Sequence, residues 1–527
     1  MLPLRCVSVL LQLRTLPIRF PRGPTVRLIL SLASPAGARG YSAPAWSSPG
    51  STCPATSMRA YKRIVFTERT DRHAVYEFLA GLVASPQHAE AVEEFIFDVM
   101  DLDRLFRFSQ LQAIPNNFPQ QSSGPETSGF AQVLTDAGFD QDATMEYIDI
   151  LSGSSQRTIQ ASKFIHYAAG LVILLCPNIH TLTFGDNSHN GPFVHLLQEN
   201  NYSLLPNQYL QNLQHVTVLH TKDVTLGDDR FYTYTNVLHL LRLFHRLPAL
   251  NSFSVDGIDD MREDLIAFPP ATSNLKSLRI GHSSCSSEFL GKLIRIPRAL
   301  ERLNLTNGGR ITLDGGGPIM SAMTISKALF EQRETIQEID IDMDATFGKD
   351  DLDDPTEDEA YDDRDDWWHK DLEISTVPDK AQLRAWEGPA TRQDGSPIGS
   401  MHDFASLTTL KIGVGMLLDG FLSPNRGTEQ KESSRAPCRL VDALPPGLQS
   451  FTLRGYYKGK NQYYDWQVKE FMAYKAERFP RLQELEGIEA PVPSASDVYE
   501  EDDDSEEYET YNYKREVPDG KWVEAHA

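Results

Sequence analysis

Residues 298–309 read RALERLNLTNGG, and their apolar residues follow the spacing Φ-x-x-Φ-x-Φ, where Φ is apolar. The three apolar residues are Leu300, Leu303 and Leu305, and a polar turn follows them. Successive side chains of a β-strand point to opposite faces of the sheet, so Leu303 and Leu305 share one face and are predicted to be buried. Asn304 lies between them and is predicted to point outward.

The same spacing recurs in order along the chain, and most copies end at Gly, Asp or Asn. A single short apolar pattern is common, whereas ten in order are typical of a repeat protein. From the second copy onward, successive starts are 34, 37, 25, 25, 36, 71, 41 and 34 residues apart, which leaves room for a returning helix. The copies begin at Val92, Ile179, Leu213, Leu250, Leu275, Leu300, Ile336, Leu407, Leu448 and, in partial form, Leu482.

Several intervals between the copies carry apolar residues at the period of an α-helix. Repetition of strand, turn and helix predicts an α/β fold, specifically an irregular leucine-rich-repeat solenoid over residues 58–490. Its parallel strands are expected on the concave face and its helices on the convex face. Helices are predicted within residues 71–86, 233–248, 286–297 and 324–334, and a buried helix is predicted at 164–176, ending at Pro177.

The net charge of −23 is unevenly distributed along the chain. No acidic residue precedes Glu68, and nine Lys and Arg residues give that first segment a charge of +9. Residues 340–373 contain sixteen acids against three bases, and residues 497–509 contain nine acids and no base. A surface this acidic repels phosphate backbones, and no nucleic-acid partner is therefore expected.

The acid-free, Arg-rich segment 1–57 has the composition of a mitochondrial presequence, although its prolines limit any helix. The alternatives are a disordered extension or sequence upstream of a true start at Met58. A cytoplasmic or nuclear protein is favoured, because the five scattered cysteines form no disulfide framework, and a mitochondrial location stays open. No apolar run is long enough to span a membrane, so no membrane partner is expected.

Two acidic segments interrupt the predicted body of the protein. Residues 343–403 are too charged to pack in a core and are predicted to be a disordered insertion, and residues 491–527 a disordered acidic tail. The pair Trp367 and Trp368 could dock on a basic partner or anchor the insertion to the body. Acids in the insertion do not match a calcium-binding loop, so no metal is expected.

Motifs that would indicate catalysis are absent from the sequence. It contains no G-x-S-x-G, no P-loop and no H-E-x-x-H, and its fourteen histidines are dispersed. We therefore predict that the protein is not an enzyme and that it needs no cofactor.

The chain resembles leucine-rich-repeat and F-box-type proteins of filamentous fungi. The resemblance lies in its long helical intervals and in the stretches LLCPNIHTLTF, LPALNSFSVDG and FPRLQEL. The resemblance covers roughly residues 70–490. It implies that the repeats recruit a target, and that an N-terminal F-box docks on the adaptor of a cullin–RING ubiquitin ligase. Residues 1–70 depart from the family here, because they contain no Leu-Pro-x-Glu pattern followed by an apolar helix.

The sequence therefore predicts a non-catalytic solenoid that binds a protein partner, and the F-box resemblance implies a ubiquitin-ligase adaptor as one such partner. The alternatives are a mitochondrial scaffold or an acidic chaperone that shields basic proteins. The outward strand positions are the candidate partner-binding residues: Thr183, Thr217, Ser254, Arg279, Arg302, Asn304, Asp340, Lys411 and Thr452, joined by Thr181, His215, Ser252, Ser277, Glu338, Thr409 and Ser450.

Overall fold

The structure is a computed structural model, and it describes most of the predicted body of the protein together with short segments outside it. Of the predicted N-terminal segment 1–57 only Ser31–Leu32 is described, and Trp367 and Trp368 lie outside the described residues. The described residues are 31–32, 61–67, 72–98, 125–152, 161–185, 192–219, 232–259, 268–308, 322–343, 398, 400–418, 439–494, 513–515 and 522–524.

Sixteen strands are present in the described residues, and twelve of them belong to one sheet. In chain order they are β1 (Ser31–Leu32), β2 (Tyr61–Thr67), β3 (Glu94–Asp98), β4 (Thr181–Gly185), β5 (His215–Leu219), β6 (Thr233–Tyr234), β7 (Ser252–Asp256), β8 (Ile258–Asp259), β9 (Ser277–Ser283), β10 (Arg302–Asn307), β11 (Glu338–Asp342), β12 (Thr409–Gly413), β13 (Ser450–Arg454), β14 (Glu484–Glu486), β15 (Tyr513–Arg515) and β16 (Trp522–Glu524).

The helices of the described residues connect these strands. They are α1 (Arg72–Ala84), α2 (Pro86–Glu90), α3 (Pro125–Asp136), α4 (Gln141–Ser152), α5 (Ala161–Leu175), α6 (Pro192–Asn201), α7 (Val237–Arg242), α8 (Ser287–Arg295), α9 (Ala322–Glu331), α10 (Val414–Leu418), α11 (Leu440–Ala443) and α12 (Gln462–Arg478).

The main sheet is open, and its order is β1-β2-β3-β4-β5-β7-β9-β10-β11-β12-β13-β14. The eleven strands from β2 to β14 are parallel, and β1 pairs with β2 in the antiparallel direction. Strand β6 pairs with β8, and β15 with β16, in two small separate sheets. The α/β class and the parallel pairing of the repeated strands are thus confirmed.

The repeated apolar positions build the core, as their spacing predicts. The first strand position of the motif is buried at ten of its eleven occurrences, and so is every residue of the second row. Both rows are matched in register across the sheet and join one continuous core with the buried faces of the helices. The first row is Ile64, Phe95, Leu182, Val216, Phe253, Leu278, Leu303, Ile339, Leu410, Phe451 and Leu485; the second is Phe66, Phe97, Phe184, Val218, Val255, Ile280, Leu305, Ile341, Ile412 and Leu453.

Neighbouring strands are linked by a ladder of carbonyl groups, in which the carbonyl oxygen just before one strand accepts hydrogen bonds from the start of the next strand. The His180 carbonyl oxygen accepts from the backbone N–H groups of both Gln214 and His215, at 2.9 Å each. Lys276 repeats this arrangement toward Glu301 and Arg302 at 2.8 Å. Because one shared oxygen fixes two successive amides, it sets the register of each strand on its neighbour. Equivalent acceptors are Glu93, Gln214, Asn251, Glu301, Gln337, Thr408 and Gln449.

Polar side chains form a second ladder in the turn before the strands. In five units the side chain of the residue preceding the first apolar position donates to a carbonyl of the unit before it. Asn178 Nδ2 donates to the Glu90 carbonyl at 2.8 Å, and Thr335 Oγ1 donates to the Leu300 carbonyl at 2.9 Å. Otherwise unsatisfied turn carbonyls gain partners in this way. Asn212, Asn274 and Ser406 repeat the contact.

Several predicted helices are confirmed, with differences in length. Helices α1, α5, α8 and α9 match their predicted segments, and Pro177 lies beyond α5 as expected. In segment 233–248 the helix is shorter than predicted: α7 begins at Val237 and ends at Arg242, and turns follow it. Helices α3 and α4 were not predicted, and with α5 they make a long connection from β3 to β4.

Both ends of the predicted acidic insertion 343–403 lie in the core. Met343, Ile398 and Met401 are each at most 2 % exposed. The charged run between them lies outside the described residues. In the predicted tail 491–527, the backbone of Val492 still pairs with Arg454, and β15 and β16 lie further on.

Gly487 follows β14 in the left-handed conformation, with φ of 81°. A Cβ at this position would overlap the Leu453 carbonyl oxygen. We expect Gly487→Ala to detach β14 from β13 while the rest of the sheet stays intact, because each strand contacts only its neighbours. Hydrogen exchange should rise at residues 484–494 and remain unchanged from β2 to β12.

Gly459 provides the matched control, because its φ is 89° but nothing lies within 4 Å of a Cβ placed there. Gly459→Ala should cost only the backbone strain of about 1 kcal/mol. Equal exchange in the two variants would contradict the assigned contact.

His166 is a buried histidine in α5, and its ring lies edge-on to Phe97 at 4.9 Å between centroids. Burial lowers its pKa to about 4, below the value of about 6.5 in an unfolded chain. The folded state therefore prefers the neutral ring, so this stabilisation is complete above pH 6.5 and is lost as pH falls toward 4.

We expect His166→Gln to remove this part of the acid sensitivity. Between pH 7.5 and pH 4.5 the free energy of unfolding should fall by about 2 to 3 kcal/mol less in the variant than in the wild type. Urea denaturation at the two pH values measures the difference. The exposed His402 is the control, and an effect of His402→Gln as large as that of His166→Gln would refute the assignment.

Candidate recognition surface

The predicted partner-binding residues lie on the sheet face opposite the core, here called the polar face. Eight of the nine form a single row, because each is paired in register with the next across consecutive strands from β4 to β13. Arg302 lies two residues before Asn304 in the neighbouring row. The first row runs Thr183, Thr217, Ser254, Arg279, Asn304, Asp340, Lys411 and Thr452, and the second Thr181, His215, Ser252, Ser277, Arg302, Glu338, Thr409 and Ser450.

The nine residues differ in how much of each reaches the surface. Arg279 and Arg302 are exposed, whereas Thr183 is 9 % and Thr452 is 3 % exposed. Thr452 lies between Lys411 and Glu486 in register and donates to Glu486 Oε2 at 3.2 Å. A threonine between longer side chains is therefore covered even on an outward face. The remaining five, Thr217, Ser254, Asn304, Asp340 and Lys411, are half-buried.

Charged side chains at the β10–β13 end of the polar face bind one another. Arg454 Nη1 lies 2.5 Å from Asp340 Oδ1, and its Nε lies 3.8 Å from Asp342 Oδ2. Asn304 Nδ2 donates to Asp340 Oδ2 at 3.1 Å. In register, Arg454 is paired with Gly413 on β12. Because Gly413 has no side chain, the guanidinium can cross β12 to reach the carboxylates on β11.

This arrangement changes the interpretation of two predicted residues. Asp340 and Asn304 are joined to Arg454 within the protein, and the side chains of Asp340 and Arg454 are only 14 % and 18 % exposed. The polar groups of Asp340 and Asn304 therefore serve primarily to hold strands of the sheet together. Arg454 itself was not predicted, although it occupies a place where most copies carry Gly, Asp or Asn, which is a signal that the sequence contained.

The middle of the polar face, from β5 to β10, is rich in hydroxyl groups and basic side chains. His215 Nδ1 lies 2.7 Å from Ser252 Oγ, across neighbouring strands. Burial lowers the pKa of His215, and the charges of His180 and Arg302 lower it further. The ring is therefore neutral near pH 7, and its contact with Ser252 is a hydrogen bond between uncharged groups.

A Ser–His contact also occurs in nucleophilic catalysis, where a third group orients the histidine and donors stabilise an oxyanion. Among the described contacts of the His215 side chain, the only hydrogen bond is the one to Ser252. The pair therefore gives no basis for assigning a reaction.

The first strand of the parallel sheet was missed from the sequence. Strand β2 carries Tyr61, Ile64 and Phe66 at the repeat spacing, but its first position is a tyrosine and was not counted as apolar. Strand β2 adds Arg63 and Val65 to the polar face, and Arg63 Nε lies 3.3 Å from Glu94 Oε2. Val65 is followed in register by Ile96, so this end of the face is apolar.

In the described residues, the side chains that could bind a metal do not gather into one site, and neither do the thiols. No group of three His, Cys, Asp or Glu side chains in this part of the chain lies close enough to hold a metal ion. Cys176 and Cys285 are buried and neither forms a disulfide, and burial raises the pKa of Cys176 to about 12, which keeps it protonated.

Within the described ranges, none of the helices combines the length and the apolar character needed to cross a bilayer. Comparisons with protein-family models, curated proteins and solved structures found no match. The geometry itself therefore defines the class of protein: an α/β chain with one open, mostly parallel sheet whose second face carries register-matched polar side chains.

Replacement of Arg454 tests the ionic cluster. Arg454→Met should leave Asp340 and Asp342 as neighbouring, largely buried carboxylates, and we expect a loss of about 3 kcal/mol in the free energy of unfolding. Adding Asp340→Asn should restore part of that loss, because one uncompensated charge is removed. Urea denaturation measures both effects. Arg481→Gln, at an exposed arginine, is the control, and a destabilisation equal to that of Arg454→Met would contradict the role of the cluster.

Proposed function

We propose that this chain is a non-catalytic protein-binding module that recognises a protein partner across its polar face. One observation carries the proposal: the outward strand residues form continuous rows across neighbouring strands. Eleven strands spaced by about 4.8 Å give a face about 50 Å long. A face of this length suits an extended segment or a second protein surface better than a small molecule, which proteins usually enclose in a concave pocket.

We also propose that the units stack as an irregular leucine-rich-repeat solenoid. The order of the parallel strands in the sheet follows their order in the chain, with only β6 and β8 set apart. The carbonyl ladder and the turn ladder both link a unit to the one before it. Such nearest-neighbour stacking is characteristic of solenoids, whose strand-bearing faces commonly bind proteins.

Membership in a ubiquitin ligase is the narrower form of this proposal, and it rests on the family resemblance alone. In that form the polar face selects a target and another part of the chain contacts the ligase adaptor. Ligase components that co-purify with the full chain, in equal amount from wild type and from a polar-face variant, would support it. Their absence would leave the recognition role standing by itself.

The recognition role predicts that changes on the polar face abolish partner binding without unfolding the protein. Thr217→Glu, Ser254→Glu and Lys411→Glu together change the net charge by −4 at half-buried positions of the row. We expect at least a tenfold loss of affinity for partners that quantitative affinity purification recovers and that are then purified and titrated.

The matched control combines Lys458→Glu and Lys469→Glu, which also changes the net charge by −4 but at exposed sites near and on α12. Circular dichroism should show both variants folded. Unchanged partners and affinities in the polar-face variant would overturn the proposal. Loss of binding only when residues 344–397 and 495–527 are deleted would instead favour an acidic shield for basic proteins.

A further inference from the structure

The polar face contains a region without carboxylates in an otherwise acidic protein. The chain has 73 Asp and Glu residues against 50 Lys and Arg. Nevertheless, the ten positions of the two polar-face rows from β4 to β10 include two arginines, one histidine and no acid. They are Thr181, Thr183, His215, Thr217, Ser252, Ser254, Ser277, Arg279, Arg302 and Asn304.

Arg279 and Arg302 are the two exposed residues of this region. Within the described part of the chain, neither guanidinium has an ion-pair partner within 4 Å. The nearby acids are held by other bases: Glu301 lies 2.8 Å from Lys276, and Asp256 lies 2.9 Å from His282. Two exposed cations, neither of them in a described ion pair, are therefore presented together on neighbouring strands.

Arg302 has one acid as a register neighbour, Glu338 on β11. The described contacts include no ion pair between the two. The charge of Arg302 instead acts on His215, three strands away in the opposite direction. Between them in register lie Ser252 and Ser277, which both have short side chains.

The spacing of the arginines suits a particular ligand. Arg279 is in register with Asn304, and Arg302 lies two residues before Asn304 on the same strand. A strand spacing of about 4.8 Å and a rise of about 3.3 Å per residue place the two Cα atoms about 8 Å apart. Side chains at positions i and i+2 of an extended peptide lie about 7 Å apart on one face.

We propose that Arg279 and Arg302 bind the two carboxylates of an acid-x-acid segment in an extended peptide of the protein partner. Each guanidinium can bind a carboxylate through two parallel hydrogen bonds. The serine and threonine hydroxyls beside them supply donors and acceptors for the peptide backbone. This inference rests on the proposed function, and it names the chemistry that the same face recognises.

The net charge of the chain limits the length of the acidic segment. At physiological ionic strength a charge is screened beyond about 8 Å, so the two arginines dominate at contact while the other acids are felt weakly. A long polyanion such as a nucleic acid would extend past this region toward Glu338 and Asp340 on one side or Glu94 on the other. A short acidic segment fits the available positive charge.

A peptide titration with the full-length chain tests the proposal. The probe is the fluorescein-labelled peptide Gly-Ser-Glu-Thr-Glu-Ser-Gly, measured by fluorescence anisotropy at 50 and 150 mM salt. A peptide with Gln for both Glu residues is the ligand control. We expect saturable binding of the acidic peptide and at least tenfold weaker binding of the Gln peptide.

Variants assign the binding to the two arginines. Arg279→Gln and Arg302→Gln should each weaken binding at least fivefold, and the double variant should abolish it. Glu338→Gln should tighten binding about two- to threefold, because it removes the acid next to Arg302. Arg481→Gln removes an exposed arginine outside the region and should leave the affinity unchanged.

Several outcomes would overturn the inference. They are no saturable binding to the full chain, equal binding of the Gln peptide, undiminished binding by the double variant, or binding only when phosphoserine or phosphothreonine replaces glutamate. If the natural partner is lost in the Thr217, Ser254 and Lys411 variant but retained by Arg279→Gln/Arg302→Gln, the inference fails while the proposed function holds. Retention by both variants refutes the two together.

Discussion

The shared carbonyl at the start of each strand is the interaction on which the rest of the structure depends. One oxygen accepts two successive amides of the following strand, and this repeats across the sheet from Glu93 to Gln449. A slip of one residue would turn every buried side chain of a strand to the opposite face. The ladder therefore keeps the two apolar rows aligned against the helices, and through them it keeps the outward residues aligned on the polar face.

The two faces of the sheet differ in composition. On the core face Phe, Leu, Ile and Val all occupy the same rows, so these residues differ in shape but share an apolar character. On the polar face the residues are arranged in regions: apolar near Val65 and Ile96, hydroxyl-rich from β4 to β7, basic at Arg279 and Arg302, and ionic around Asp340. This uneven distribution is what a surface specific for one partner requires, because a uniform face could not discriminate between ligands.

Much of the fold could be predicted because the repeat spacing states which residues are buried and which strands are parallel. Strand β2 was not predicted because Tyr61, at its first motif position, is amphipathic. The Tyr61 ring packs against the core from a half-buried position. Helices α3 and α4 escaped because they belong to a long connection that the repeat does not specify. The row of site residues followed directly from the alternation of strand side chains. The engagement of Asp340 by Arg454 did not, because those residues are 114 positions apart and meet only across the glycine of β12.

The last parallel strand, β14, has the sequence Glu484-Leu485-Glu486, and both glutamates are exposed. Its outer edge is the position where a second molecule could add another strand and prolong the sheet. Such an addition would crowd the incoming backbone against two carboxylates on a strand only three residues long, and that discourages edge-to-edge association. At the opposite edge, β1 already runs antiparallel to β2. The charged edge at β14 therefore disfavours end-to-end growth of the sheet, however regular its internal repetition.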